Sequence, residues 1–165
     1  MRIAAAVAVA LALAAPAAAV TRPPQAGVLI PGRSLGGLEL GTTRAGVEQT
    51  WGRAYGDCKG CRHETRFYNF FAFQPKGVGV EFRAGKVAAI FTIYRPDGWH
   101  TNRGLRLGDP ESRVTFLYGA LVRRQCGGYS VLVLPGRNAT TGFYVLDNRL
   151  WAFVLSRPGL SLCRT

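Results

Sequence analysis

Residues 35–52, LGGLELGTTRAGVEQTWG, and residues 102–119, NRGLRLGDPESRVTFLYG, write one pattern twice, 67 positions apart. Gly37, Leu38, Leu40, Gly41, Val47 and Gly52 fall on Gly104, Leu105, Leu107, Gly108, Val114 and Gly119. These are six identities in eighteen positions, where average composition gives about one or two. In the second copy Asp109 suits an N-cap, Pro110 the first helical position and Glu111 the positive helix end. Thr42 or Thr43 takes the capping place in the first. Val47, Thr50 and Trp51, and likewise Val114, Leu117 and Tyr118, recur at i, i+3, i+4 and give each helix one packing stripe. Gly52 and Gly119 end the helices. Helices of two to three turns do not stand alone in water, so each must pack on something.

The partner surface is also written twice, downstream of each helix. Residues 63–73, 77–82 and 86–94 read as three strands, answered by 128–134, 141–146 and 149–157. Here the offset is 63, and it brings Gly79, Val87 and Ala89 onto Gly142, Leu150 and Ala152. The last two strands of each set meet at Ala84-Gly85 and Asp147-Asn148, residue types that accept positive φ in two-residue hairpins. The expectation is an α+β fold: a tandem repeat of a short helix plus a three-stranded antiparallel β-meander, with helices on one face of a joined concave sheet. Repeat one spans 28–94, residues 95–102 form a linker holding Trp99, and repeat two spans 103–165. Trp99 is expected to tuck against the boundary between the repeats.

Ahead of the repeats, MRIAAAVAVALALAAPAAAV has one positive charge, an apolar run from Ile3 to Ala15 and small residues before Val20. This is the form of a secretory signal peptide over 1–19, cut at Ala19/Val20, with 20–27 left as an N-terminal arm. The apolar run is shorter than the roughly 20 residues that cross a bilayer, so no membrane span is expected in the mature chain. Removing 19 of 165 residues leaves 146 and takes the formal charge from +12 to +11. The bias favours an acidic partner or an anionic envelope surface. Its basic residues are spread along the chain, with no run longer than Arg123-Arg124, which argues against a specific nucleic-acid site.

The stretch IPGRSLGGLELGTTRAGVEQTWG resembles the opening motif of small secreted bacterial proteins that share the fold of the β-lactamase inhibitor protein and the SmpA/OmlA-type (BamE-like) envelope lipoproteins. The resemblance implies a sheet with short helices on one face, used for protein binding in the manner of the inhibitor. This chain lacks the lipoproteins' lipidation cysteine.

Four cysteines in an exported chain are expected to be oxidised. The pairing favoured by their positions after each helix is Cys58–Cys61 and Cys126–Cys163. A redox role for Cys58-x-x-Cys61 wants the first cysteine at a helix N-terminus, and here the pair follows a helix. His63 gives Cys58-x-x-Cys61-x-His63, but a zinc site needs a fourth ligand and His100 is the one remaining imidazole. No metal and no cofactor is expected. No nucleophile, base or paired carboxylates sit in a catalytic context, so the chain reads as not an enzyme.

The surplus is aromatic. Alternation along 78–83 puts Glu81 and Arg83 on the helix-free face, and the repeat carries that face to Tyr144 and Leu146. On the third strands it places Trp151, Phe153 and Leu155 outside, with Ala88, Ile90 and Thr92 in the first copy. The expected function is therefore a secreted, monomeric binding module that engages an unidentified protein through Tyr144, Trp151, Phe153, Leu155, Glu81 and Arg83. The second reading is a structural cell-wall or periplasmic protein held by charge on anionic wall polymers. The third is a small extracytoplasmic enzyme or redox protein using Cys58 and Cys61.

Overall fold

The computed structural model describes residues 24–69 and 76–163. The signal segment with its Ala19/Val20 cut and residues 70–73 of the expected first strand lie outside the described residues. In chain order the elements are β1 (Gly27–Ile30), β2 (Ser34–Leu35), β3 (Leu38–Glu39), α1 (Arg44–Trp51), β4 (Tyr55–Asp57), β5 (Thr65–Tyr68), β6 (Gly77–Arg83) and β7 (Lys86–Ile93). There follow β8 (Trp99–Thr101), α2 (Glu111–Tyr118), β9 (Val122–Gln125), β10 (Ser130–Leu134), β11 (Thr140–Leu146) and β12 (Arg149–Ser156).

This corrects the expected class. Among the described residues two eight-residue helices stand against twelve strands, so the fold is mostly β. It is not a repeat of a helix plus a three-stranded meander. The strands form an eight-stranded sheet, β4-β5-β6-β7-β12-β11-β10-β9, and a separate four-stranded sheet, β3-β2-β1-β8. Each helix is followed by four antiparallel strands, because β4 and β9 add an edge that apolar patterning does not announce. VRRQ in β9 is exposed throughout, and Tyr55–Asp57 is only three residues long. Short, charged edges of this kind discourage pairing with another chain. The four-stranded sheet is likewise absent from the expectation. It takes β1 from the junction of the expected N-terminal arm with repeat one and β8 from the expected linker, which pair in parallel at Gly27↔Trp99 and Leu29↔Thr101.

Both helices and the small sheet cover one face of the large sheet. Val47, Trp51, Leu29, Leu35, Leu38, Trp99 and Val114 join Val80, Phe82, Phe143 and Leu150 in a single core. Trp51 meets Tyr68 edge-on at 5.3 Å and Trp99 at 6.4 Å, and its indole N–H donates to the Gly36 carbonyl at 2.7 Å. Such aromatic pairs add to the gain from area buried. Burial pushes the Tyr68 phenol up to about 12. Helix α1 begins at Thr43, whose hydroxyl accepts from the Gly46 amide. Helix α2 does not begin as expected: its N-cap is Pro110, while the Asp109 carboxylate accepts from the Arg106 amide and pairs with Arg113. The α2 amide at Glu111 is satisfied instead by the Asn148 carbonyl at 2.9 Å.

Arg66 ties α1 to the sheet. It is nearly buried, lies over the rings of Tyr55 and Phe82, and donates to Glu48 at 2.9 Å. A buried guanidinium needs such partners to offset its desolvation. The Arg66 hydrogen bond, followed by that of Arg53, holds the Glu48 carboxyl below its ordinary pKa.

The two hairpin turns are as the residue types suggest, with Ala84-Gly85 and Asp147-Asn148 all at positive φ. Just beyond each turn lies a β-bulge. Glu81 pairs with Ala89 but Phe82 with Val87, leaving Ala88 extra; Tyr144 pairs with Ala152 but Val145 with Leu150, leaving Trp151 extra. One added residue reverses the alternation beyond it. Ile90, Phe153 and Leu155, expected on the helix-free face, are therefore in the helix-side core, each fully buried. Truncating one of them is a direct test of the bulge: Phe153→Ala should cost about 3–5 kcal/mol of stability by chemical denaturation, whereas a cost below about 1 kcal/mol would return Phe153 to the surface.

The lowered pKa of Glu48 carries a sign. Its ionised form is favoured by folding, so its contribution is present above the unfolded carboxylate pKa of about 4.3 and is lost as pH falls through the lower folded value. Glu48→Gln should flatten the fall of Tm on acidification below about pH 4.5. An unchanged acid slope would contradict the role given to the Arg66 pairing.

Candidate functional site

On the helix-free face the second half forms its own apolar layer of Val131, Val133, Tyr144, Ala152, Val154 and Leu162, reaching Phe91 across the seam. The C-terminal tail lies on this layer. Leu162 is 6% exposed, the Tyr144 hydroxyl donates to the Leu162 carbonyl, and Cys126–Cys163 anchors the tail to the end of β9. Two glycines make the room required. A Cβ on Gly142 would stand 2.6 Å from Val154 Cγ1 and 2.9 Å from Val131 Cγ2, and one on Gly79 would stand 2.4 Å from the Phe91 ring.

Beside this layer the face opens into a cleft of about 530 Å³ lined chiefly by Phe67, Phe91, Tyr94, Tyr129, Tyr144 and Trp151. Trp151 is its hub, with ring centroids at 5.7 Å to Tyr94, 5.6 Å to Tyr129 and 5.6 Å to Tyr144. Tyr129 meets Tyr144 edge-on at 5.6 Å, and Phe67 meets Phe91 at 6.2 Å. Trp151 is the extra residue of its bulge and lies with Ala152 on the helix-free face, while Leu150 and Phe153 pack inward. Its indole N–H is shielded and has no hydrogen-bond partner among the described residues, and a shielded donor of this kind is commonly satisfied by water or a ligand. Tyr94 is 57% exposed at the rim.

Of the residues singled out in the sequence, Tyr144 and Trp151 belong to this cleft. Phe153 and Leu155 do not: they lie on the opposite face. Glu81 and Arg83 share the helix-free face of the first half and pair with each other at 2.9 Å, but line no part of the cleft. Phe67, Phe91, Tyr94 and Tyr129 escaped the sequence reading. The available signal was aromatic residues at alternate positions, such as Phe91 and Phe67 opposite Gly79, which pairs with both.

The cysteines form Cys58–Cys61 and Cys126–Cys163, and none among the described residues is free. Cys58–Cys61 sits in the loop between β4 and β5, with the Cys58 amide donating to the Thr65 carbonyl. His63 lies in the same loop and His100 in β8. Among the described residues no three His, Cys, Asp or Glu side chains gather where they would hold a metal ion. No helix among them is long and apolar enough to cross a membrane.

No protein-family profile matches the chain, and no curated protein matches it in sequence. Two solved structures are similar. A DUF4309 family protein, YjgB, from Bacillus subtilis superposes with a TM-score of 0.55 at 16% identity, over 85% of this chain and 89% of that one. An extracellular protein containing an SCP domain, from Bacillus anthracis, gives 0.49 at 12% identity, over 72% of this chain and 44% of that one. The likeness to YjgB extends to the fold alone.

The anchored tail yields a prediction. Replacing Cys126 and Cys163 by alanine opens a closure of 37 residues and should cost about 3–4 kcal/mol in the chain-entropy view. It should also expose Tyr144 to solvent, read as stronger fluorescence quenching by acrylamide. Unchanged stability and quenching would show that the tail does not need its anchor.

Proposed function

We propose that this protein is a non-catalytic, extracytoplasmic binding module that engages another protein through the aromatic cleft on the helix-free face of its large sheet. The observation that carries this reading is the Trp151 cluster. One indole and three tyrosines converge at an open cleft, and the indole donor has no partner among the described residues. Tryptophan and tyrosine dominate the energetics of protein interfaces, because they offer large rigid surfaces with a polar handle. Helices and a second sheet bury the opposite face, so this is the face left for use. The two disulfides support placement in an oxidising compartment outside the cytoplasm. The sequence resemblance to inhibitor-type secreted proteins supports the same mode of use.

A structural role on anionic wall polymers is the competing reading, and the formal charge of +12 favours it. Salt separates the two, because charge retention is screened within about 10 Å at 0.1 M and faster above that. The immobilised chain without residues 1–19 should retain a protein from the envelope and medium of its own source at 0.5 M salt. Trp151→Ala should weaken that retention by about 2 kcal/mol, or roughly thirtyfold, while Trp151→Phe keeps most of it. Retention that vanishes in salt and ignores Trp151→Ala would contradict the proposal and leave the wall-polymer role ahead.

A further inference from the structure

The aromatic cleft continues past Trp151. Tyr94 and Trp151 line a second cleft of about 350 Å³ together with Arg95, and Tyr94 and Arg95 line a third of about 610 Å³ together with Lys76 and Arg106. Each cleft adjoins the next, the first two meeting at Tyr94, Leu146 and Trp151 and the last two at Tyr94 and Arg95, so together they line a trough that is aromatic at one end and cationic at the other. Lys76, Arg95 and Arg106 make no ion pair among the described residues. Two carboxylates line the trough, Asp97 at that end and Asp147 beside Arg95 and Arg149 in the second cleft, against four cations.

The joint of the trough is a conformationally costly one. Tyr94 and Arg95 are consecutive non-glycine residues at φ +52°, in the left-handed region that side chains with a Cβ disfavour. At an offset of 63 the second half has Arg157 and Pro158, neither of which is left-handed, so the other half of the sheet does without this backbone. The Arg95 amide donates to the Trp151 carbonyl at 3.0 Å, which fixes the pair against β12. Tyr94 is thereby held beside the Trp151 indole, and Arg95 at the start of the cationic end. Strain retained at one point of a fold commonly marks a working site.

We propose that the trough is one site for an acidic protein segment: an apolar side chain of the partner enters the aromatic cleft, and carboxylates two to four residues along the partner pair with Arg95, Lys76 and Arg106. This rests on the reading of the face as protein-binding and names the chemistry of the partner. Charge complementarity selects it. The whole molecule is strongly positive and the cations at this end are unpaired, which steers an acidic partner and fixes its register. The apolar end gives affinity that charge alone does not. An anionic wall polymer has no apolar anchor and would use the cationic end only.

The test titrates three synthetic peptides into the isotopically labelled chain lacking residues 1–19, followed by NMR. The parent is acetyl-Gly-Gly-Phe-Asp-Glu-Asp-Gly-amide; in the second, glycine replaces the phenylalanine, and in the third the acids become their amides. The parent should shift the Trp151 indole N–H and the Arg95 resonances together. Each altered peptide should bind about tenfold more weakly or worse, and Arg95→Gln should weaken the parent by a similar factor with the rest of the spectrum unchanged. Equal binding of the parent and either altered peptide, or no shift with any of them, would overturn the inference. So would linear polyphosphate moving the Trp151 and Arg95 signals as the parent does. Partner retention that depends on Trp151 but ignores Arg95→Gln would overturn this inference alone and leave the proposed function standing.

Discussion

The pairing of β7 with β12 holds this architecture together. Phe91, Ile90 and Ala89 lie opposite Val154, Leu155 and Ser156, and two further bonds extend the seam: the Phe153 amide donates to the Thr92 hydroxyl and the Arg157 amide to the Ala88 carbonyl. Without it each half would be a four-stranded sheet with a raw edge at β7 or β12, a template for unwanted association. With it, Ile90 and Leu155 join the two halves of the helix-side core, and Phe91 and Val154 join the layers of the other face. The aromatic cleft straddles this seam. Phe67, Phe91 and Tyr94 come from the first half, and Tyr129, Tyr144 and Trp151 from the second. The candidate site is therefore a property of the joined sheet, and neither half contains it.

The two faces are closed by different means. On one, α1, α2 and a four-stranded sheet supply a thick cover, keyed by Trp51 against Gly36, Tyr68 and Trp99. On the other, a thin segment ending in the Cys126–Cys163 anchor covers part of the second half, and Trp151 lies in the open cleft beside it. The asymmetry is what turns an ordinary two-sided sheet into one with a protected face and a working face. Trp151 reaches the working face because it is the extra residue of a bulge, a device that re-aims a side chain without disturbing the strand's other contacts.

What could be read in the sequence followed from local chemistry. Residues that accept positive φ marked both hairpin turns, apolar stripes at helical spacing marked both helices, and the spacing of cysteines after each helix suggested the pairing found. Trp99 was legible as a packing residue, and it is buried against Trp51. Three things were not legible. The edge strands β4 and β9 are short and largely polar, YGD and VRRQ, and carry no apolar alternation. The small sheet is assembled from segments of two to four residues, below the length at which periodicity says anything. The bulges were invisible because RLWAFVLS is apolar on both sides of the strand: with nearly every position hydrophobic there is no alternation to break, and Phe153 and Leu155 were sent to the wrong face. Asp109 failed as an N-cap for a related reason, since the Asn148 carbonyl, distant in sequence, already serves the first amide of α2.

The central claim is that the seam and its bulge put Trp151 among tyrosines on the helix-free face while Phe153 turns to the core. Nuclear Overhauser contacts in the folded protein test it most directly. The account predicts cross-peaks from the Trp151 ring to Tyr94, Tyr129 and Tyr144, and from the Phe153 ring to Phe143, whose centroid lies 6.2 Å away. Contacts from Trp151 to Phe143 or Val114, with Phe153 facing the tyrosines, would contradict it.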